Sequence, residues 1–182
     1  MDTKIYVISG KARHGKDTTA LAIKEIYEKE DKKVINLAYG NYIKEYAKNI
    51  SDWDGSDETK PRTLLQQLGT EIIRNKIDDK FFVKRLCNDI RVYSYFFDVI
   101  TISDARFVDE IEEPKKLFND VITIKVIRDG FESNLTKEEL KHKTETALDD
   151  YDDYDFVIHN DGTILELNEK VALLVKEVEN ER

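Results

Sequence analysis

A loop framed by two glycines, between a short apolar run and a helix-like pattern, constrains the fold of this chain more than any other feature. The run "KIYVIS" (Lys4–Ser9) precedes Gly10, and Gly15 and Lys16 complete a G-x-x-x-x-G-K pattern. Glycine adopts backbone conformations that other residues avoid, so the successive amides of the loop can point inward. A helix that begins at Lys16 adds the partial positive charge of its N-terminus. The sequence therefore predicts a phosphate-binding loop between a strand and a helix.

The loop and the first helical turn supply the predicted phosphate contacts. Lys16 is expected to reach the β- and γ-phosphates of a nucleotide. Its neighbours complete the predicted binding set: Gly10, Lys11, Ala12, Arg13, His14, Gly15, Asp17, Thr18 and Thr19.

Asp17 occupies the position where such loops usually carry serine or threonine. A carboxylate about 4 Å from a phosphate costs on the order of 4 kcal/mol at an effective dielectric of 20, unless cations intervene. Asp17 therefore either holds a metal-bound water, or orients a basic side chain, or is simply an acid that suits a first helical turn. The hydroxyl role is expected to pass to Thr18, either in a Mg²⁺ shell or at the α-phosphate.

Composition limits the classes of protein. A length of 182 residues suits one domain, and 40% hydrophobic with 37% charged residues is typical of a soluble globular chain. We find no apolar run long enough to span a bilayer and no secretory leader pattern, so we expect no membrane association. The single cysteine, Cys87, excludes an internal disulfide, indicates a cytoplasmic location and is expected to pack in the core.

The net charge of −9 argues against a broad surface for nucleic-acid polymers, which need clustered Lys and Arg. A small anionic ligand remains compatible with it, because a local basic pocket can override the global sign.

Short β-branched runs alternate with helical patterns, which is typical of a parallel α/β sheet covered on both faces. The predicted strands are Lys4–Ser9, Lys33–Ala38, Val99–Ser103, Val121–Ile127 and Asp155–His159. The predicted helices are Lys16–Glu28, Asn41–Asn49, Pro61–Lys76, Lys80–Phe97, Val108–Phe118 and Thr163–Glu179.

Two stretches are less regular. Ser51–Pro61 is polar and rich in turn residues, and Arg128–Asp155 is highly charged. Within the second stretch, Thr136 and Glu139 have the spacing of a helix cap. This stretch is either a solvated helical crossover or a mobile cover over a site.

Asp104 and Arg106 follow the third predicted strand, at the carboxyl edge of the sheet where ligands bind in open α/β folds. An aspartate there can bind Mg²⁺ through water, and the arginine suits a bidentate grip on a phosphate. The alternative is a surface ion pair of Arg106 with Glu110 or Glu112.

Four segments occur in an order that resembles the deoxynucleoside monophosphate kinases of phages and bacteria: "GKDTTA", "RTLLQQLGTEIIRN", "ISDARFVDEIE" and "HNDGT". The resemblance covers nearly the whole chain. One departure is "DARFVDE", where the family pattern is closer to D-x-R-F-P-N-E. This departure alters the turn but keeps Asp104 and Arg106.

The resemblance implies a fold and a reaction. The fold would be a three-layer α/β P-loop kinase domain over residues 1–182, with a five-stranded parallel sheet flanked by helices. Residues 39–98 would form an acceptor-binding helical region, and residues 128–150 a small charged lid. The reaction would move the γ-phosphoryl group of ATP, with Mg²⁺, to a (deoxy)nucleoside 5′-monophosphate, in the host cytoplasm if the chain is phage-encoded.

Alternatives remain open. The chain could phosphorylate another small phosphorylated acceptor, such as phosphomevalonate or dephospho-CoA, or bind nucleotides without catalysis. A regulatory NTPase switch fits less well, because position 17 lacks a hydroxyl group. The apolar residues of Lys80–Phe97 could also bury one face against a second copy, which would give a homodimer.

The resemblance also assigns residue roles. Lys16, Arg106 and Arg128 would be catalytic, with Arg128 stabilising charge on the phosphoryl group in transfer. Acceptor contacts would come from Lys44, Arg62, Gln67, Arg74, Asp104, Arg106, His142 and Glu145, and metal contacts from Thr18 and Asp104. Gln66 is the alternative to Gln67 for reading a base edge, and Tyr42 either stacks on the base or packs internally. Asn160 would border adenine, although "NDGT" also fits a turn with Thr163 as N-cap.

Overall fold

A parallel sheet of five strands forms the middle of the fold. The structure is a computed structural model that describes residues 3–131, 136 and 140–180. The strands are β1 (Lys4–Ser9), β2 (Val34–Leu37), β3 (Val99–Ala105), β4 (Val121–Ile127) and β5 (Phe156–His159). Their order across the sheet is β2-β3-β1-β4-β5, and every neighbouring pair is parallel. All five predicted strands and the parallel sheet are confirmed.

Helices connect the strands and cover the sheet. They are α1 (Lys16–Glu28), α2 (Tyr39–Ile50), α3 (Arg62–Gln66), a π-helix (Gln67–Ile77), α4 (Phe81–Tyr93), α5 (Val108–Leu117), α6 (Lys143–Thr146) and α7 (Ile164–Asn180). None of the helices in the described residues is long and apolar enough to cross a membrane.

The side chains of β1 show why the fold has three layers, since successive residues of a strand point to opposite faces. Tyr6 and Ile8 are buried in a cluster with residues of α1 and α7. Ile5 and Val7 are buried in a second cluster with residues of α4 and α5. The sheet is therefore flanked by helices on both faces, as expected.

The predicted helix over Pro61–Lys76 changes its pitch part of the way along. The chain forms one α-helical turn to Gln66 and then a π-helix, in which the hydrogen bonds span five residues. Gly69 lies so close to α2 that a Cβ atom there would come within 2.8 Å of Ile43 Cδ1. The spacing of apolar residues does not indicate this change.

The predicted helix over Lys80–Phe97 is shorter than expected and ends at Tyr93. The hydroxyl of Ser94 donates to the carbonyl of Ile90 at 2.7 Å, and turns at Tyr95 and Phe96 then lead into β3. Cys87 is buried in the core against the sheet, so its expected packing role is confirmed. Burial raises the pKa of the Cys87 thiol to about 11.

We predict that Leu86→Ala lowers the free energy of unfolding by about 2–5 kcal/mol, because Leu86 is fully buried and alanine leaves a cavity. Urea denaturation followed by circular dichroism measures the change. The matched control is Val92→Ala in the same helix, where the side chain is 57% exposed. Equal losses in the two variants would contradict the assignment of Leu86 to the core.

Candidate active site

The loop between β1 and α1 has the backbone of a phosphate-binding loop. Gly10 and Gly15 have φ angles of 147° and 104°, in the region that favours glycine. A Cβ atom at Gly10 would lie 2.4 Å from the carbonyl oxygen of Val126, and one at Gly15 would lie 2.5 Å from Nδ2 of Asn160. Gly10 is therefore required for space as well as for conformation, whereas Gly15 is required for its φ angle and for close packing against the Asn160 side chain.

Asn160, the residue after β5, holds this loop in place through hydrogen bonds. Its Nδ2 donates to the carbonyl oxygen of His14 at 2.9 Å, and its backbone amide donates to Ile127 at 2.7 Å. Thr163 and Glu166 exchange reciprocal hydrogen bonds at the start of α7, which confirms Thr163 as N-cap. The contact of Asn160 with adenine stays a prediction.

Lys16 is the buried cation of the site. The residue is only 6% exposed, and its Nζ donates to the carbonyl oxygen of Lys11 at 2.8 Å. Burial lowers the pKa of Lys16 to about 8, and the neighbouring Arg106 adds to the effect. A bound phosphate would reverse this shift, because an anion favours the ammonium form.

Asp104 and Arg106 lie beside the loop, where β3 ends. Both carboxylate oxygens of Asp104 accept hydrogen bonds from the amides of Tyr39 and Gly40, at 2.9 and 2.8 Å, so this side chain also caps α2. Burial raises the pKa of Asp104, while the two amides oppose the rise. The sequence indicated the position of Asp104 but not its capping role.

Glu110 holds the turn that carries Arg106, a role that sequence reasoning missed. Its Oε2 accepts from the backbone amides of Arg106 and Phe107 at 2.7 and 3.2 Å. The predicted alternative for Arg106 was a side-chain ion pair with Glu110 or Glu112, but the guanidinium of Arg106 instead pairs with Glu145 at 2.7 Å. The sequence carries only half of a capping box here, the glutamate at the third helical position, because the N-cap residue Phe107 has no polar side chain.

The side chain of Arg74 is held by acidic and aromatic side chains of the protein itself. Its guanidinium donates to both oxygens of Asp109 and to Glu110, the shortest distance to each being 2.8 Å, and it lies 3.9 Å from the ring centroid of Phe107. These contacts tie the π-helix to α5. Arg74 also lines the cavity between the loop and the helices α2 and α3. Its contact with an acceptor stays a prediction.

A cavity of about 430 Å³ opens between the loop and the helices α2 and α3. Its cations include Lys44 and Arg62, which form no ion pair among the described residues. Apolar side chains complete the wall, together with Gln66 and the buried Thr70. Lys44 and Arg62 therefore line the same cavity as Lys16, Asp104 and Arg106.

Gln67 and Tyr42 lie away from this lining. Gln66 faces the cavity, whereas Gln67 is exposed at the start of the π-helix. The ring of Tyr42 stacks on Phe82 at 6.4 Å, and its hydroxyl donates to Asp89. The internal packing of Tyr42 is therefore observed, and Gln66 is the glutamine placed to meet a ligand.

Asp17 and Asp104 are the carboxylates of this cavity that suit a magnesium ion. Mg²⁺ in nucleotide sites usually keeps several waters and uses one or two carboxylates together with phosphates. Thr18 does not line this cavity. The hydroxyl of Thr19 is buried and has no hydrogen-bond partner among the described residues. The described residues contain no cluster of three acidic, His or Cys side chains that could hold a metal alone. A cation shared with phosphates therefore fits this donor set better than a site made only of protein.

Within the charged segment, the described residues 140–150 contact the phosphate-binding loop. Lys11 pairs with Asp149 at 3.0 Å, and Glu145 accepts from the amide of Ala12 at 3.1 Å. His142 accepts from the amide of Thr144 at 3.3 Å and caps α6. The expected cap at Thr136 and Glu139 lies partly outside the described residues.

Arg128 lies at the end of β4, outside the cavity lining. Its amide donates to Nδ1 of His14 at 3.1 Å, and its guanidinium lies 4.5 Å from the ring centroid of Phe131. The role of Arg128 in phosphoryl transfer stays a prediction.

The parallel sheet and its phosphate-binding loop form a fold of the P-loop kinase type. A sugar kinase from Janibacter sp. HTCC2649 aligns with a TM-score of 0.61 at 13% identity, covering 96% of this chain and 95% of that chain. The dephospho-CoA kinase from Campylobacter jejuni aligns with a TM-score of 0.53 at 12% identity, covering 98% of both chains. At these identities the similarity shows the fold alone.

Sequence comparison identifies the family. The family model for deoxynucleotide monophosphate kinase matches residues 23–171. The chain is 31% identical over 152 residues to the deoxynucleotide monophosphate kinase of Enterobacteria phage T4, covering 83% of this chain and 58% of that protein. The corresponding kinase of Escherichia phage RB69 is 32% identical over 136 residues, covering 74% of this chain and 50% of that protein. The chain belongs to the deoxynucleotide monophosphate kinase family, and it spans between half and three fifths of the length of these two relatives.

We predict that Glu110→Ala lowers the free energy of unfolding by about 3 kcal/mol, because it removes a buried partner of Arg74 and two capping contacts. Thermal and urea denaturation measure the loss. Glu113→Ala in the same helix is the control, since its pair with Lys80 is more exposed and should matter little. An equally small effect at Glu110 would show that it does not support the site.

Proposed function

We propose that this chain transfers the γ-phosphoryl group of ATP to a (deoxy)nucleoside 5′-monophosphate. The observation that carries this proposal is that one cavity is lined both by residues of the phosphate-binding loop and by Lys44 and Arg62, two cations with no ion pair in the described part of the chain. A donor phosphate chain on the loop and an acceptor phosphate on these cations would lie side by side. Membership of the deoxynucleotide monophosphate kinase family supports the same reaction.

The donor would be held by the loop amides and Lys16. The acceptor phosphate would be held by Arg62, Lys44 and Arg106, and Gln66 would read an edge of the base. Arg128 would approach the transferring group from the charged segment, which we propose acts as a lid that excludes water. Asp17 and Asp104 would hold Mg²⁺ through water, and the ion would neutralise phosphate charge.

The acceptor needs no general base. A monophosphate oxygen is already an anion, so it can attack the γ-phosphorus directly while the bond from that phosphorus to the bridging oxygen breaks. Catalysis then depends on positioning and on cations around the transferring group. This requirement matches a site built from lysines, arginines and backbone amides.

A nucleotide is favoured over other phosphorylated acceptors. The wall of the cavity combines the apolar Ile43, Leu65 and Phe82 with the polar Gln66 and Thr70, which suits a flat base with hydrogen-bonding edges. We further propose that residues 39–98 form the acceptor region of a single domain and that the enzyme works in the cytoplasm. A homodimer is also proposed, because Val92, Tyr95 and Phe96 are exposed at the end of α4.

We predict that ADP release depends on the acceptor and that Lys16→Met lowers the rate at least a hundredfold, since one preorganised donor contributes about this much. The assay is coupled ADP release over a panel of ribo- and deoxynucleoside monophosphates. Lys24→Met in the same helix, with a partly exposed side chain, is the control. Wild-type protein that released no ADP with any acceptor would contradict the proposed reaction.

We predict that ATP binding weakens as the pH rises above about 8. The pKa of Lys16 is about 8 in the free protein, and bound phosphate raises it, so the complex retains a proton that the free protein loses. The dissociation constant should be level between pH 7 and 8 and then rise by up to about tenfold per pH unit. Calorimetry without acceptor measures it, and Lys16→Met should bind more weakly with no such slope. A level wild-type profile up to pH 9.5 would contradict contact between Lys16 and the phosphates.

A further inference from the structure

Glu145 lies between two groups that belong to the proposed phosphoryl-transfer machinery. One carboxylate oxygen accepts from the amide of Ala12 in the phosphate-binding loop at 3.1 Å, and the other accepts from Arg106 at 2.7 Å. The side chain is only 9% exposed. Arg106 also donates to the carbonyl oxygen of Thr144 at 3.4 Å, which strengthens the link to this segment.

The partners of Glu145 are of the kinds that bind phosphate. A loop amide and a guanidinium both donate hydrogen bonds to anionic oxygens, and a carboxylate presents oxygens of similar charge and size. Glu145 and Arg106 also line two cavities, the one of about 430 Å³ and a second of about 190 Å³ beside the loop. The carboxylate therefore sits where oxygens of a transferring phosphoryl group would lie.

The segment that carries Glu145 is anchored to the protein. Leu148, Tyr151 and Tyr154 pack against the buried cluster beneath β1 and β3. The hydroxyl of Ser9, at the end of β1, donates to the hydroxyl of Tyr154 at 2.8 Å. Lys11 pairs with Asp149 at the rim. A packed segment therefore holds Glu145 against the phosphate-binding loop.

The other buried carboxylates of the site have different partners. Asp104 is held by the amides of α2, and Glu110 by Arg74 and the turn amides. Their partners serve the fold, and an incoming phosphate has no reason to compete for them. Glu145 instead holds a loop amide and a cavity-lining arginine, so its contacts and those of a substrate exclude each other.

We propose that Glu145 determines the choice between water and a phosphate acceptor; the inference rests on the proposed function. With ATP alone, the carboxylate keeps Arg106 and the amide of Ala12, so two donors are missing from the γ-phosphoryl group and attack by water is slow. An incoming monophosphate competes for Arg106. Glu145 then loses its cation, is repelled by the phosphates and releases the amide.

Phosphoryl transfer and ATP hydrolysis are both displacements at the γ-phosphorus with ADP as the leaving group. In transfer, an acceptor phosphate oxygen bonds to the γ-phosphorus, the bond to the bridging oxygen breaks, and its electron pair leaves on ADP. In hydrolysis, water bonds to the same phosphorus, a proton passes to solvent, and ADP leaves in the same way. Both need charge stabilisation on the phosphoryl oxygens. In this scheme Glu145 withholds that stabilisation until an anion rather than water arrives.

The test replaces Glu145 by glutamine, which keeps the size of the side chain and removes its charge. Glu145→Gln should hydrolyse ATP without acceptor about tenfold faster than wild type, and its KM for the acceptor should fall several-fold. Binding of inorganic tripolyphosphate, measured by calorimetry, should tighten by a similar factor. Asp150→Asn is the matched control: it makes the same charge change in the same segment at an exposed residue that has no ion pair among the described residues.

Glu145→Ala serves as a second variant, because glutamine can still accept from Arg106. If neither variant hydrolyses ATP faster nor binds tripolyphosphate more tightly, the inference is overturned, even when wild-type transfer to the acceptor is normal. If wild type shows no acceptor-dependent ADP release, the proposed function fails. Tripolyphosphate binding then decides separately whether Glu145 competes with phosphate at the loop.

Discussion

Close contacts at its two glycines hold the phosphate-binding loop in place. Gly10 passes the backbone carbonyl of Val126 with no room for a side chain, and Gly15 packs against the side-chain amide of Asn160. The loop therefore takes its shape from β4 and from the residues that follow β5, as well as from its own sequence. Lys16 is buried, and the cavity beside it is lined by the loop, the end of β3 and the helices α2 and α3.

The site combines cations with carboxylates that have separate tasks. Asp104 at the end of β3 caps α2, and Glu110 binds the amides at the start of α5, so two acids that line the cavity fix the starts of these helices. Lys44 and Arg62 then face the cavity without acidic partners among the described residues. A chain with a net charge of −9 can thus present a cationic pocket, because its acids are used for structure beneath that pocket.

Local sequence was sufficient to predict the layers of the fold and the phosphate-binding loop. Apolar runs located the strands, and the glycine spacing located the loop between a strand and a helix. Lys16, Asp104 and Arg106 do share a cavity, since parallel strands end at one edge of a sheet. The pitch of the π-helix, the contacts of Arg74 and the packing of Tyr42 arise from tertiary neighbours such as Ile43, Asp109 and Phe82. These neighbours are distant in sequence, so periodicity and residue type could not indicate them.

The strand order also determines when the site can form during synthesis on the ribosome. The central strand β1 is made first, but its neighbours are β3 and β4: Lys4 pairs with Val99 and Ile5 with Val121. Asn160, which braces the loop, is made later still. Pairings between distant segments form slowly, and an unpaired apolar strand is prone to aggregate meanwhile. The nascent chain must therefore carry β1 without its sheet neighbours until β3 and β4 have been made, and the loop gains its contact with Asn160 only after β5 has left the exit tunnel.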